Sequence, residues 1–384
     1  MATIKKTGTG QWTVRGVVTY QDGSTKDIRR AFNRLAKAKE FAAGLTTEQA
    51  SPVAAPAEIS FADYYDRWIT TYKLGKHSDV TDTWYTLVGG YIRQYFHDTL
   101  ISGIDRASYQ KFLDWCATTP RGKREQPLSR TTVSRINSYI KAVVLDAVED
   151  GYTRRDFTRR AVVSGIPSKP ASEKYVDAGE LEKMVSIAER HASLEAMSYY
   201  VVIFQALTGA RFEEALGMTW ECVDFDQHTV TFKRSWLYKN KKRFNNFGPL
   251  KNAQSYRTIP ISANLLAVLS QLRQEQRKAY LAVGYRDTDD LCFRKADHNI
   301  LTNNAVNDAV RRLCKWAGAK NSITSHGLRH SHGSMLLYKG VSILAISRRL
   351  GHASVNITMK VYLHEVDEMK QKDDQQTLKA LNDL

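Results

Sequence analysis

The chain has no uninterrupted apolar run of about 18 residues, the length a helix needs to cross a bilayer, so no membrane span is expected. Its opening residues, MATIKKTGTGQW, place no apolar stretch after the lysines, which argues against a secretory signal. Cysteine is sparse. Cys116, Cys222, Cys292 and Cys314 are scattered, and no two form a C-x-x-C pair. A disulfide frame and a zinc site are therefore not expected, and each cysteine reads as a small buried hydrophobe in a protein of the reducing cytoplasm. Acid is scarce beside base: 40 Asp and Glu stand against 56 Lys and Arg, a formal net charge of +16. Solubility alone does not need that excess, which points to a polyanionic partner, nucleic acid ahead of acidic lipid.

What is present fits a folded, multidomain protein. The length of 384 residues suggests two or three domains, and 42% hydrophobic with 25% charged residues is ordinary for globular chains. Residues 1–50 read as a small sheet followed by a helix. QWTVRGVVTY alternates polar and apolar residues, Asp22-Gly23 supplies a hairpin turn, and KDIRRAF returns as a strand. Phe32, Leu35, Phe41, Ala42 and Leu45 then share one side of a helix. This segment carries nine lysines and arginines against four acids, as befits a sheet that enters a DNA groove; a solvated basic face is the alternative. Residues 51–58 (SPVAAPAE) read as a linker.

From residue 59 to 160 the pattern is all-helical. Ser60 caps FADYYDRWITTYK, helices follow near 79–97 and 105–117, and Ser129 opens a long one that stops at Gly151. Basic and aromatic residues interleave here, as in a module that grips a duplex through its phosphates. The stretch 152–175, with basic pairs, Gly165 and two prolines, reads as an extended connector, and residues 161–175 are assigned to a second interdomain linker.

Residues 176–384 are mixed but mostly helical. Gly209 ends one helix, and ARFEEALGMTW starts another with Arg211 at its N-terminus, where backbone N–H groups favour an anion. Glu213 or Glu214 is placed to hold that guanidinium. VDFDQHTVTF and RTIPI read as strands that flank a basic, turn-rich hairpin. Lys251, just before the turn-like NAQSY, is a candidate proton donor to a leaving oxygen. Ser262 opens an amphipathic helix, and NNAVNDAVRRLCKWAG forms another. The run HGLRHSHGSMLLYKGVSILAISRRLGHASVNITMKVYLH then gathers His326, Arg329, His330, His352 and Tyr362. Polar groups cluster so when they converge on one anionic ligand, with the tyrosine aimed at a phosphate. Tyr338 is expected to pack inside its helix, His330 to be buried beside the site, and His332 to be structural. The acidic tail from Glu365, with Leu378, Leu381 and Leu384, suits docking on a neighbouring protomer better than on DNA.

The boxes TGARFEEAL, PLKNAQSYRTIPI, HGLRH and LGHAS, with Tyr362 ten residues after His352, resemble the tyrosine recombinase (phage integrase) family. The upstream segments are similar to the arm-binding and core-binding domains of integrases from phages and conjugative elements. The resemblance implies a multidomain, mainly α fold. It has a small β-sheet-plus-helix N-terminal domain, an all-α core-binding bundle, and a mostly α catalytic domain with a β-hairpin. It implies a recombinase that integrates or excises a mobile element through a 3′-phosphotyrosyl intermediate. Tyr362 would be the nucleophile; Arg211, Arg329 and His352 would hold the phosphate. His326 would move a proton or orient the phosphate, and Lys251 would be the general acid. No cofactor or metal is required. Expected partners are double-stranded DNA at attachment sites, a homotetramer on that DNA, a host DNA-bending protein and an excision factor, in a bacterial cytoplasm and not a membrane. A type IB-like topoisomerase and a DNA-binding accessory protein are the alternatives.

Overall fold

The computed structural model describes residues 3–7, 11–19, 25–47, 58–76, 79–120, 125–238 and 246–362. The chain divides into two compact units, Met1–Ser168 and Lys169–Leu384.

The first unit opens with an antiparallel sheet of β1 (Thr3–Lys6), β2 (Trp12–Thr19) and β3 (Thr25–Phe32), in that order. Strand alternation sends Val14 inward, where it is fully buried beneath α1 (Leu35–Thr47) with Ala38. The opposite face sets Arg15 directly across from Arg29, and both are exposed. Like charges paired across strands destabilise a sheet, so this pairing costs stability when no anion is present. The Asp22-Gly23 turn and most of the 51–58 linker lie outside the described residues.

A helical bundle follows: α2 (Phe61–Tyr72), α3 (Asp79–Phe96), α4 (Arg106–Thr118) and α5 (Arg130–Glu149). Ser60, Asp105 and Ser129 cap α2, α4 and α5 by accepting backbone N–H bonds from the third residue on, which satisfies groups a helix start leaves open. Apolar positions at helical spacing fill the core, among them Phe61, Tyr65, Phe112, Ile136 and Ile140. Residues 152–166 are not an extended connector. Phe157 is buried in the bundle core, edge-on to Phe61, and Ile166 exchanges backbone hydrogen bonds with Leu128 and Arg130. The burial of Phe157 and the backbone bonds of Ile166 tie this stretch to the bundle despite its basic pairs.

The second unit is organised around α7. It begins with α6 (Ala178–His191), closed at its start by the Asp177–Glu180 capping box. Helix α7 (Met197–Thr208, MSYYVVIFQALT) is apolar on every side and is buried accordingly. It ends at Gly209, whose φ of 70° is left-handed. The next helix, α8 (Phe212–Leu216), is one short turn. Strands β4 (Val223–Asp224) and β5 (Thr229–Phe232) follow, then the hairpin ends β6 (Ser235–Trp236) and β7 (Phe247–Gly248). Strand β8 (Arg257–Pro260) returns beside β5 to complete an antiparallel sheet ordered β4-β5-β8. Lys239, Lys241 and Lys242 lie outside the described residues. Helices α9 (Ala263–Ala282), α10 (Asn303–Ala317), α11 (Ser325–Tyr338) and α12 (Ile343–Leu350) complete the unit with α13, described over 355–362. All four cysteines are buried. Among the described residues no helix is long and apolar enough to cross a membrane.

Candidate active site

Arg211 stands at the start of α8, immediately after the left-handed turn at Gly209 and Ala210. Helix α8 is too short for a large dipole, so the charge at this point comes from side chains. Glu214, one turn on, is buried and receives both the Arg211 guanidinium and, at 3.0 Å, the Arg257 Nη2. It also accepts the Arg211 backbone N–H at 3.0 Å. Desolvation works against its charge, but Arg257 and Arg211 overcome it and hold the carboxyl below its usual range. Of the two glutamates offered by the sequence, the structure gives the holding role to Glu214. Arg211 further donates to Ser255 Oγ at 3.1 Å and to the Gly351 carbonyl at 3.2 Å.

Helix α11, capped by Thr324, brings His326, Arg329 and His330 together. Arg329 is only 2% exposed; it donates to the Gly209 carbonyl at 2.8 Å and to the Leu350 carbonyl. Burial and the neighbouring Arg211 bring its pKa down to about 9. His326 stays open to solvent at the rim. The packing around its ring and then the charges of Arg329, Arg211 and Lys251 lower its pKa, which keeps the imidazole neutral and able to accept a proton near neutral pH. His330 is half-buried with its ring edge-on to His326 at 4.8 Å, and desolvation lowers its pKa to about 4. His352, half-buried, pairs its Nδ1 with Thr358 Oγ1 at 2.8 Å. Desolvation, then Arg329 and Arg211, lowers its pKa to about 3, so the ring is neutral there. Lys251 is exposed between β7 and the Asn252-capped turn at Ala253–Ser255, and its charge reaches His326.

Tyr362, on α13, is 2% exposed and packs with Leu337, Ile346 and Leu350. Its hydroxyl lies against Gly333, where a Cβ would overlap it. Gly333 is four residues after Arg329 on α11, so both share one face of that helix. Tyr338, expected to pack, is instead 66% exposed at the last residue of α11. His332 is structural as expected: it is buried and joined to Ala206 O and Arg349. Arg211, Arg329 and His352 thus gather where α7 and α12 end, with His326 one turn before Arg329 on α11 and the Tyr362 hydroxyl one turn after it, while the charge of Lys251 reaches His326. Sequence reasoning passed over Arg257, Ser255 and Gly333. The four-residue spacing of Arg329 and Gly333 was the one signal available for any of them. The tail from Glu365 lies outside the described residues.

The phage integrase family model matches residues 174–369, and the phage integrase SAM-like domain model matches residues 60–161. An XerC-like tyrosine recombinase of Caldanaerobacter subterraneus subsp. tengcongensis is 24% identical over 273 residues, 68% of each chain. The ICEBs1 integrase of Bacillus subtilis is 24% identical over 278 residues, 72% of each. The fold is similar to that of the Tn1549 transposon integrase solved with transposon right end DNA. The TM-score is 0.65 at 17% identity, over 82% of this chain and 99% of that one. The chain belongs to the phage integrase family. Within that family it is a tyrosine recombinase, an enzyme of site-specific DNA recombination that cuts and rejoins strands through a 3′-phosphotyrosyl intermediate.

Proposed function

We propose that Tyr362 is the nucleophile and that Arg211, Lys251, His326, Arg329 and His352 serve it at the scissile phosphate of duplex DNA. The observation that carries this reading is the seating of the Tyr362 hydroxyl on α11 at Gly333, one turn from the buried guanidinium of Arg329. The phenol oxygen attacks phosphorus, the bond to the 5′ oxygen breaks, and Lys251 gives that oxygen a proton. His326 takes the phenol proton. Arg211 and Arg329 meet the charge that grows on the non-bridging oxygens, and His352 adds a neutral hydrogen bond. In the second half the 5′ hydroxyl of a partner strand attacks the phosphotyrosine, and the phenol leaves. The ester keeps the energy of the broken bond, so joining needs no ATP.

The basic sheet of residues 1–50 is the arm-type DNA-binding domain, residues 59–160 are the core-binding domain, and residues 176–384 are the catalytic domain. Exposed Arg15 and Arg29, opposed across two strands, support the first assignment, because a DNA phosphate relieves their repulsion. The DNA is that of attachment sites on a mobile element, in keeping with the transposon DNA bound by the Tn1549 integrase. Exchange of four strands needs four tyrosines, hence a tetramer on the DNA. A host bending protein and an excision factor would set the direction.

A nicked suicide duplex carrying the site tests the nucleophile. Wild type is expected to leave a covalent adduct on a denaturing gel and Tyr362→Phe none. An undiminished adduct with Tyr362→Phe overturns the assignment.

A further inference from the structure

Two helix ends meet at the site, and each presents a row of carbonyls. At the end of α12 three successive carbonyls each hold a different arginine. Arg349 O accepts from Arg257 Nε at 2.6 Å, Leu350 O from Arg329 Nη2, and Gly351 O from Arg211 Nη2 at 3.2 Å. A helix C-terminus carries partial negative charge, so this end both orients and stabilises the three cations. The left-handed turn at Gly351, φ 65°, makes the spacing possible. A Cβ there would stand 2.9 Å from Gln254 O and 3.0 Å from Arg257 Nη1.

The α12 end is itself tied down by the side chain of Arg349. Its Nη1 donates to Pro260 O on β8 at 2.9 Å and its Nη2 to Leu207 O on α7 at 3.1 Å. Its Nε donates to His332 Nε2 at 2.9 Å. His332 must then be neutral with its proton on Nδ1, which donates to Ala206 O at 2.8 Å. The end of α7 is thereby engaged at Ala206, Leu207 and Gly209 by His332, Arg349 and Arg329.

We propose that Arg349 and His332 are a positioning pair: they lock the end of α12 to the end of α7 and so fix the direction in which Arg211 and Arg329 present their donors to DNA. The inference rests on the reading of Arg211 and Arg329 as the groups that hold the scissile phosphate. Neither Arg349 nor His332 needs to touch the substrate. Their effect is geometric, and catalysis by fixed donors is sensitive to small displacements.

The experiment uses the full chain and the suicide duplex in two forms, with an ordinary scissile phosphate or with a methylphosphonate there. The methylphosphonate is uncharged and asks less of the arginines. Arg349→Met keeps the packing of the stem and loses the fork. It is expected to slow single-turnover adduct formation about 100-fold on the phosphate while DNA affinity holds. On the methylphosphonate the deficit is expected to narrow by about tenfold or more, as it should for Arg211→Ala and Arg329→Ala. His332→Leu should repeat the Arg349→Met result. His332→Gln, whose amide can donate to Ala206 O and accept from Arg349, should restore most of the rate. Should Arg349→Met fail to fold, Arg349→Lys carries the same comparison. A deficit equal on both substrates for Arg349, with the Arg211→Ala deficit narrowed, overturns the positioning role alone. If Arg211→Ala does not narrow either, the reading of the phosphate-holding arginines fails.

Discussion

Gly333 and Tyr362 are separated by most of two helices in the chain, yet one is the floor beneath the other's hydroxyl. Any side chain at 333 must displace the tyrosine. Gly333→Ala is therefore expected to keep DNA binding and lower adduct formation by about 100-fold, the scale of a misplaced reacting group, measured as single-turnover cleavage. Glu214 is the other residue on which much depends. It is the buried carboxylate between Arg211 and Arg257. Removing it leaves two guanidiniums facing each other with their counter-charge gone. Glu214→Ala should lose about 3–5 kcal/mol of stability, read from urea unfolding, and Glu214→Gln should lose less because it keeps hydrogen-bond acceptors. An unchanged urea midpoint for Glu214→Ala would contradict the pairing of Glu214 with Arg211 and Arg257.

At the scale of elements, α7 and α12 contribute to the site through their C-terminal ends. Their C-terminal carbonyls are matched by His332, Arg349, Arg329, Arg211 and Arg257 in place of water. This has a consequence in acid. His332 joins α11 to α7, and burial first, then Arg349, lowers its pKa from 6.5 to about 3. The unfolded chain takes up that proton near the ordinary value, and the folded protein does not until far lower pH. Stability is thus fullest above about pH 6.5 and is expected to fall as the pH drops from there toward 3, with His330 and His352 acting in the same direction. Thermal midpoints across that range should show the loss, and His332→Gln should flatten it.

At the scale of the molecule, the charge is spread over pieces that do different work. The sheet of β1 to β3 presents Arg15 and Arg29 on its open face, whereas the second unit holds Arg211, Arg257 and Arg329 against backbone carbonyls and the Glu214 carboxylate. Deleting residues 1–50 is expected to spare cleavage at a core-type site and to abolish integration between full attachment sites, measured in a two-plasmid assay. Equal integration by the truncated protein would remove the arm-binding role.

Much of this was legible beforehand, because it is local. Ser60, Ser129 and Ser262 announce helix starts by their own side chains, and Gly209 marks where α7 stops. The boxes that hold Arg211, Lys251, His326, Arg329, His352 and Tyr362 carry the resemblance to the family, and each box is contiguous in the chain. Other features needed the tertiary structure. Tyr338 and Tyr362 both lie in helical stretches, but packing exposes the first and buries the second. The basic pairs after Tyr152 suggest a connector, but Phe157 finds the bundle core. The arginines are held by the carbonyls of residues 349 to 351 and by Gly209 O. A carbonyl belongs to every residue alike, so the sequence determines the charged side chains while only the folded backbone decides what holds them.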